Sequence, residues 1–287
     1  MKSLYDISAP AKLNLFLHVT GRRSDGYHLL QSVFMLIDWC DTLHFDLRAD
    51  GKISREDLGM VLPVEDLVLR AAGALKRASA SPLGVHIGIE KRIPTQAGMG
   101  GGSSDAAATL LALNRLWKLD YSLEQLSQIG LQLGADVPFF LAGHNAWVEG
   151  IGEKITPVSL PTGQFLVLKP AQGLDTGLIF SDPALKRDSE TAIISGFATD
   201  PFGFGRNDLQ NVAQRLCPGV AEALEWLASR GLSGRMTGSG SAVFAPVSQH
   251  VDLGQAPSAF QVRLCSSLDV HPLVGWATSN SLSVGGG

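Results

Sequence analysis

An α+β protein of two domains is predicted from three observations. Strand-like segments with alternating apolar residues and helix-like segments with helical apolar spacing both recur along the chain. The length, 287 residues, leaves room for two cores at roughly 100–200 residues per domain. Pro157, Pro161 and Gly163 cluster within Thr156–Gln164, a composition that marks a boundary. Domains of 1–156 and 157–287 are therefore expected, with a functional site in the cleft between them. Hydrophobic residues make up 45% of the chain and charged residues 17%, which excludes a disordered chain.

Ala11–Val19 alternates, with Leu13, Leu15 and Leu17 on one face, and reads as a half-buried strand. Gly21–Tyr27 is a charged turn. Val33–Ile37 and Thr42–Leu47 read as a strand pair separated by a turn at Asp38–Asp41. Asp66–Ser79 has helical spacing through Leu67, Leu69, Ala71, Ala74, Leu75 and Ala78, and Val85–Lys91 alternates as a strand. A glycine-rich segment, Ile93–Ser104, leads into an alanine- and leucine-rich helix over Asp105–Trp117. Ser122, with Gln125 three residues on, forms a capping box for a helix over Leu123–Leu133, which Gly134 ends as a left-handed cap. Phe165–Lys169 is strand-like, and Leu209–Leu216 and Val220–Ser229 read as helices, the second stopped by Gly231. A second glycine-rich turn, Met236–Ser241, precedes an apolar strand over Ala242–Ala245, and the tail Ser279–Gly287 has a frayed composition.

The glycine-rich segment carries the chemistry. Gly98, Gly100, Gly101 and Gly102 are followed by Ser103 and Ser104 and then by a helix. Glycine lets main-chain N–H groups turn inward and lets a phosphate approach with no Cβ in the way. The helix behind adds free amides and the positive end of its dipole. No lysine follows the glycines as a Walker A motif requires, and Ser103 stands where a dinucleotide fingerprint needs its third glycine. No G-x-S-x-G elbow occurs, which disfavours a serine hydrolase. A merely flexible turn is the bland alternative; flexible linkers seldom sit between a clean strand and a strong helix.

Pro94-x-x-x-Gly-Met-Gly-Gly-Gly-Ser-Ser104 resembles the phosphate loop of the GHMP kinases, the superfamily of galactose, homoserine, mevalonate and phosphomevalonate kinases. Two more segments agree in order: Ala9-Pro10-Ala11-Lys12-Leu13-Asn14, and Arg235-Met236-Thr237-Gly238-Ser239-Gly240-Ser241-Ala242. Lys12-Leu13-Asn14-Leu15, Arg22-Arg23-x-Asp25-Gly26-Tyr27-His28-x-Leu30, Gly134-Ala135-Asp136-Val137-Pro138-Phe139-Phe140 and Asn207-Asp208-Leu209 are most similar to members acting on a cytidine-bearing sugar alcohol of the isoprenoid precursor route. Thr95-Gln96-Ala97 departs from the family, which is more glycine-rich there, and leaves the loop's path open. The resemblance fades after Pro246. It implies an N-terminal domain with the fold of ribosomal protein S5 domain 2 and a ferredoxin-like C-terminal domain.

The same resemblance implies ATP and Mg²⁺ as cofactors and Pro94, Thr95, Gln96, Ala97, Gly98, Met99, Gly100, Gly101, Gly102, Ser103 and Ser104 as the ATP-binding residues. Asp136, a carboxylate in an apolar stretch, would accept the substrate hydroxyl's proton, and Lys12 would hold Asp136 ionised. A structural ion pair is the alternative for both. Asn14, Tyr27, His28, Thr176 and Phe180 are expected at the substrate, with His28 offering hydrogen bonds to the cytosine and Phe180 stacking on it. Thr237, Gly238, Ser239 and Gly240 would close over the phosphates, unless they form only a tight turn. The sequence names no carboxylate for Mg²⁺; Ser104 is the one suggestion.

The net charge of −4 argues against a nucleic-acid-binding face. Cys40, Cys217 and Cys265 are widely spaced and read as reduced thiols. His18, His44, His86, His144, His250 and His271 lack metal-ligand spacing and read as structural or exposed. No apolar run reaches the ~18 residues of a membrane span, and the start has no secretory pattern. A cytoplasmic enzyme, monomer or homodimer, with a small-molecule substrate is expected. The rivals are a homoserine- or mevalonate-type kinase and a nucleotide-binding module without catalysis.

Overall fold

The computed structural model describes residues 2–247 and 257–279; His250 and the tail at 280–287 lie outside the described residues. The chain runs β1 (Ser3–Arg22), β2 (His28–Arg48), β3 (Ile53–Asp57), α1 (Leu67–Ser79), β4 (Gly84–Glu90), α2 (Gly101–Leu116), α3 (Leu123–Leu131), α4 (Val137–Ala142), β5 (Ala146–Gly150) and β6 (Lys154–Pro157). It continues through β7 (Gln164–Pro170), α5 (Thr176–Ser181), α6 (Ile194–Thr199), α7 (Gln210–Leu216), α8 (Pro218–Ala228), β8 (Arg235–Met236), β9 (Val243–Val247) and β10 (Phe260–Leu268). Among these strands every ladder is antiparallel except β3 with β4, which suits the α+β class read from the sequence.

β2 is the hub, pairing with β1, β4, β5 and β10. It runs unbroken through Asp38–Asp41, where the sequence predicts a turn. The polar residues there serve distant main chains instead. Asp41, fully buried, accepts the N–H groups of Arg92 (2.6 Å) and Ile93 (2.8 Å), and Asp38 accepts that of Ser266 (2.9 Å). The register jumps from Pro10↔Cys40 to Ala11↔Ile37, so Asp38 and Trp39 form a bulge rather than a reversal.

A second irregularity shapes the site. Between Asn14↔Phe34 and Leu17↔Ser32, β1 carries one residue more than β2. An extra residue switches the alternation of everything beyond it. Leu13 and Leu15 lie in the core between the two halves, with Met35, Trp147, Phe165 and Phe244, whereas Leu17 joins another core beside Leu209 and Val212. Leu17 thus leaves the face shared by Leu13 and Leu15 and lines the same cavity as Lys12 and Asn14.

α2 is packed almost all round, since its alanines let α1, β1 and α4 approach closely. The capping box at Ser122 and Gln125 forms with both bonds, at 3.3 and 2.9 Å. Gly134 does not take the left-handed conformation expected of a helix stop; its N–H bonds the Gly130 carbonyl at 3.1 Å. Gly231 does, at φ +71°.

Candidate active site

The glycine loop runs from β4 into α2 and is held from two sides. Lys12 N–H donates to the Met99 carbonyl at 3.0 Å, and the amides of Ser241 and Ala242 donate to the carbonyls of Gln96 (3.1 Å) and Ala97 (3.2 Å). Two glycines are obligatory for this path. Gly98 has φ +71°, and a Cβ there would lie 2.2 Å from the Thr237 oxygen. Gly100 has φ +72°, and a Cβ there would press on Phe140 at 2.9 Å and on Lys12 Cε at 3.3 Å. Gln96 adopts φ +50° without being glycine, which sets the path at the position where the sequence departs from its family.

α2 starts at Gly101, four residues before the expected Asp105, so Gly101–Ser104 form its first turn. Their weak helix propensity is overridden by the burial of the rest of the helix. The amides of Gly101, Gly102 and Ser103 precede the first helical bond and can bind an anion, whereas Ser104 N–H already donates to the Gly100 carbonyl at 2.9 Å.

A cavity of about 700 Å³ opens over this turn. Pro94, Thr95, Gln96, Ala97, Gly98, Met99, Gly100, Gly101, Gly102 and Ser103 all line it. Ser104 does not: its side chain is fully buried and its Oγ has no partner among the described residues. Leu62, Pro63, Leu67 and Val68 form an apolar end that the sequence does not signal. Arg55 braces it, pairing with Asp57 (2.7 Å) and Asp66 (2.9 Å) and donating to the carbonyls of Leu62 (3.3 Å) and Pro63 (3.1 Å). Lys91 sits at the base between Asp41 and Asp105. Asp105 is raised well above the ordinary carboxylate range, chiefly by burial, with Lys91 opposing.

A second cavity, of about 220 Å³, shares Gly98, Gly100, Thr176 and Ser239 with the first. Lys12, Asn14 and Asp136 face it. Lys12 Nζ lies 3.4 Å from Asp136 Oδ2, donates to Asn14 Oδ1 at 2.5 Å, and stands 4.3 Å above the Phe34 ring. Burial lowers the Lys12 pKa, and Asp136 pulls it back up. The Asp136 side chain is 29% exposed, while the residues after it, Val137, Pro138, Phe139 and Phe140, are buried in the core and anchor it there. Asn14 is fixed by Ser32 Oγ (2.9 Å) and, through its N–H, by Thr237 Oγ1 (2.9 Å). Neither Ser32 nor Phe34 carries any signal in the sequence.

The second glycine loop lies against the first, forming one side of the shared wall. Thr237 Oγ1 is 3.3 Å from the Gly98 carbonyl, Gly238 borders the smaller cavity and Gly240 the larger. Asn207 Nδ2 donates to the carbonyls of Met236 and Gly238, both at 2.8 Å. Thr176 Oγ1 meets Ser239 Oγ at 2.7 Å. Phe180 lines the smaller cavity and stacks on His28, centroids 4.9 Å apart at 28°. Tyr27 stands 61% exposed at the neighbouring turn and lines neither cavity.

The profile described as the GHMP kinases N terminal domain matches residues 66–144, and that described as GHMP kinases C terminal matches residues 199–262. A 4-diphosphocytidyl-2-C-methyl-D-erythritol kinase of Albidiferax ferrireducens is 82% identical over 285 residues, covering 99% of each chain. One of the same name from Variovorax paradoxus is 64% identical, covering 97% of this chain and 100% of its own. The crystal structure of a 4-(cytidine 5'-diphospho)-2C-methyl-D-erythritol kinase matches with a TM-score of 0.76 at 31% identity, over 92% of this chain and 98% of that one. Homoserine kinase from Cytophaga hutchinsonii shares the fold, with a TM-score of 0.69 at 14% identity over 94% of this chain and 96% of its own.

Proposed function

We infer the reaction from one premise: the chain belongs to the GHMP kinases. It moves the γ-phosphoryl group of ATP to the 2-hydroxyl of 4-diphosphocytidyl-2-C-methyl-D-erythritol, a step toward isoprenoid precursors. The observation that supports this most directly is the shared wall at Gly98 and Gly100, with the Lys12–Asp136 pair beside it.

On this reading the larger cavity holds ATP, base toward Leu62 and Val68 and phosphates over the first turn of α2. The alcohol enters the smaller cavity. Asp136 takes the hydroxyl proton as the oxygen bonds to the γ-phosphorus, and the bond from that phosphorus to the β–γ bridging oxygen breaks to release ADP. The Lys12 ammonium, oriented by Asn14 and facing the Phe34 ring, offsets the Asp136 charge and stabilises negative charge on the transferring group. Thr237, Gly238, Ser239 and Gly240 cover the phosphates.

Mg²⁺ would neutralise charge on the phosphates. Among the described residues no three His, Cys, Asp or Glu side chains gather to hold a metal. Phosphate oxygens and water would supply its ligands, and we assign it no side chain, since Asp136 is engaged by Lys12 and by the hydroxyl proton. The enclosed Ser104 hydroxyl does not reach either cavity, so we do not assign it to the ion.

No helix among the described residues is long and apolar enough to cross a membrane, and we place the reaction in the cytoplasm. We place the boundary between the two units at 156/157. Turnover should be measured with ATP and, in parallel, the cytidyl substrate, homoserine and mevalonate. The reading expects phosphorylation of the first alone; turnover of homoserine or mevalonate without it overturns the assignment.

A further inference from the structure

We infer that Arg187 is a specificity-determining positioning residue: it fixes His28 as an Nδ1–H donor, so that the site selects cytosine over uracil. The inference rests on the cytidyl-substrate reading above and deepens it.

Arg187 makes no ion pair within 4.0 Å of a carboxylate among the described residues; Asp182, whose charge Arg187 also attracts, is bonded by Arg215. Its NH2 donates to the carbonyls of Phe180 (2.9 Å) and Asp182 (2.8 Å), its NH1 to that of Leu185 (3.0 Å), and its Nε–H to His28 Nε2 (3.0 Å). Three bonds hold the guanidinium to its own loop. The fourth reaches across 159 residues of sequence to the start of β2. A lysine could not reproduce this fork, because its single ammonium lacks fixed planar donors.

A guanidinium only donates, so His28 Nε2 accepts with its lone pair. The ring is neutral. Burial lowers its pKa, and the charged groups facing it, Arg187 and then Arg22, are both cationic and lower it further. A neutral imidazole carries one N–H, and with Nε2 taken as acceptor that N–H is on Nδ1. The bond to Arg187 occupies Nε2 alone; His28 lines neither cavity itself but stacks on Phe180 at the edge of the smaller one, and its Nδ1–H is left to a ligand.

The same arginine places the surface on which a base would lie. His28 and Phe180 stack with centroids 4.9 Å apart, wider than the ~3.5–4.0 Å of direct face-to-face carbon contact, so the rings are offset. Part of the Phe180 face stays uncovered, and Phe180 lines the smaller cavity. A pyrimidine on that uncovered part lies edge-on to His28. Cytosine N3 is an acceptor and takes the Nδ1–H bond; uracil N3 carries a hydrogen and opposes it. Stacking alone accepts either base, so the choice depends on which imidazole nitrogen holds the proton.

The test combines NMR of the ¹⁵N-histidine-labelled full chain with competition by cytidine diphosphate and uridine diphosphate at saturating ATP. The wild-type spectrum should show His28 protonated at Nδ1, and cytidine diphosphate should compete more strongly than uridine diphosphate. In Arg187→Met the ring is free to move its proton to Nε2. The cytidine preference should then shrink about three- to tenfold, the worth of one hydrogen bond, with KM for ATP unchanged. A wild-type His28 protonated at Nε2 overturns the inference, whether or not the variants fold. Equal weakening of both nucleotides in Arg187→Met also overturns it, since that is the mark of a merely structural role. If the wild type shows the Nδ1–H tautomer yet does not phosphorylate the cytidyl substrate, the functional reading fails instead.

Discussion

Replacing Gly98 by alanine tests the joint between the two glycine loops. The position has φ +71°, which costs an L-residue about 1–2 kcal/mol. The added methyl would also sit 2.2 Å from the Thr237 oxygen and 2.8 Å from the Gly240 nitrogen, both main-chain atoms that cannot swing aside. The second loop must therefore draw back, which breaks the bonds from Ser241 to Gln96 and from Ala242 to Ala97. At about 0.5–1.5 kcal/mol each, their loss adds about 1–3 kcal/mol. Gly231 supplies the control, because it has the same φ of +71° and a Cβ added there would meet nothing within 4 Å. Urea unfolding should show Gly231→Ala losing only the conformational part and Gly98→Ala losing about 1–3 kcal/mol more. KM for ATP should rise in Gly98→Ala and stay level in Gly231→Ala. Equal destabilisation by the two substitutions would show that the loops are not packed as described.

Three other perturbations address the remaining parts. Asp136→Asn should lower kcat by about 10²–10⁴ while nucleotide still binds. Asp136 raises the pKa of Lys12 against the lowering by burial, so its removal should move the alkaline limb of kcat, where the ammonium loses its proton, to lower pH; a limb that stays or moves up contradicts the pairing. Arg55→Met should cost about 3 kcal/mol in urea unfolding, the low end for breaking a buried pair, and raise KM for ATP severalfold with kcat unchanged. Ser122→Ala should cost about 1 kcal/mol through loss of its cap and leave all kinetic constants as they are.

What the sequence displays depends on how local the cause is. The capping box at Ser122 and Gln125, the helix over α1 and the strand at Val85–Ile89 are set by neighbours a few residues away, and all are legible. The glycine loop is legible because a left-handed backbone at Gly98 and Gly100 leaves a mark in composition. Asp41 misleads because its partners, the amides of Arg92 and Ile93, lie some fifty residues on; nothing nearby distinguishes it from a turn residue. The early start of α2 is hidden because glycine-rich turns become helical there only through tertiary burial. Alternation puts Leu17 on the wrong face because one inserted residue in β1 is invisible to a count of every second position. No spacing relates Lys12 to Asp136, 124 positions away; only family resemblance suggests their pairing. Ser32, Phe34 and Arg187 act through shape or long-range hydrogen bonds and leave no pattern to find.

The distribution of contacts around Lys12 explains why the Lys12–Asp136 pair and the first glycine loop belong to one unit. The backbone of Lys12 is bonded to the loop at Met99, its ammonium is shared between Asn14 and Asp136, and its Cε rests near the position a Cβ of Gly100 would occupy. Asn14 in turn is bonded through its own N–H to Thr237 of the second loop. A displacement of either loop is therefore transmitted to the ammonium and the carboxylate together. Misplacement by about 1 Å can cost a phosphoryl-transfer site two orders of magnitude in rate, because catalysis there consists of positioning and charge. On the proposed reading the glycines are needed twice, once so that a phosphate can approach the amides and once so that β1 can lie close enough to carry Lys12 to the same point. A loop that bound nucleotide alone would require only the first. The close approach of Lys12 to Gly100 is what favours a transferase over a binding module.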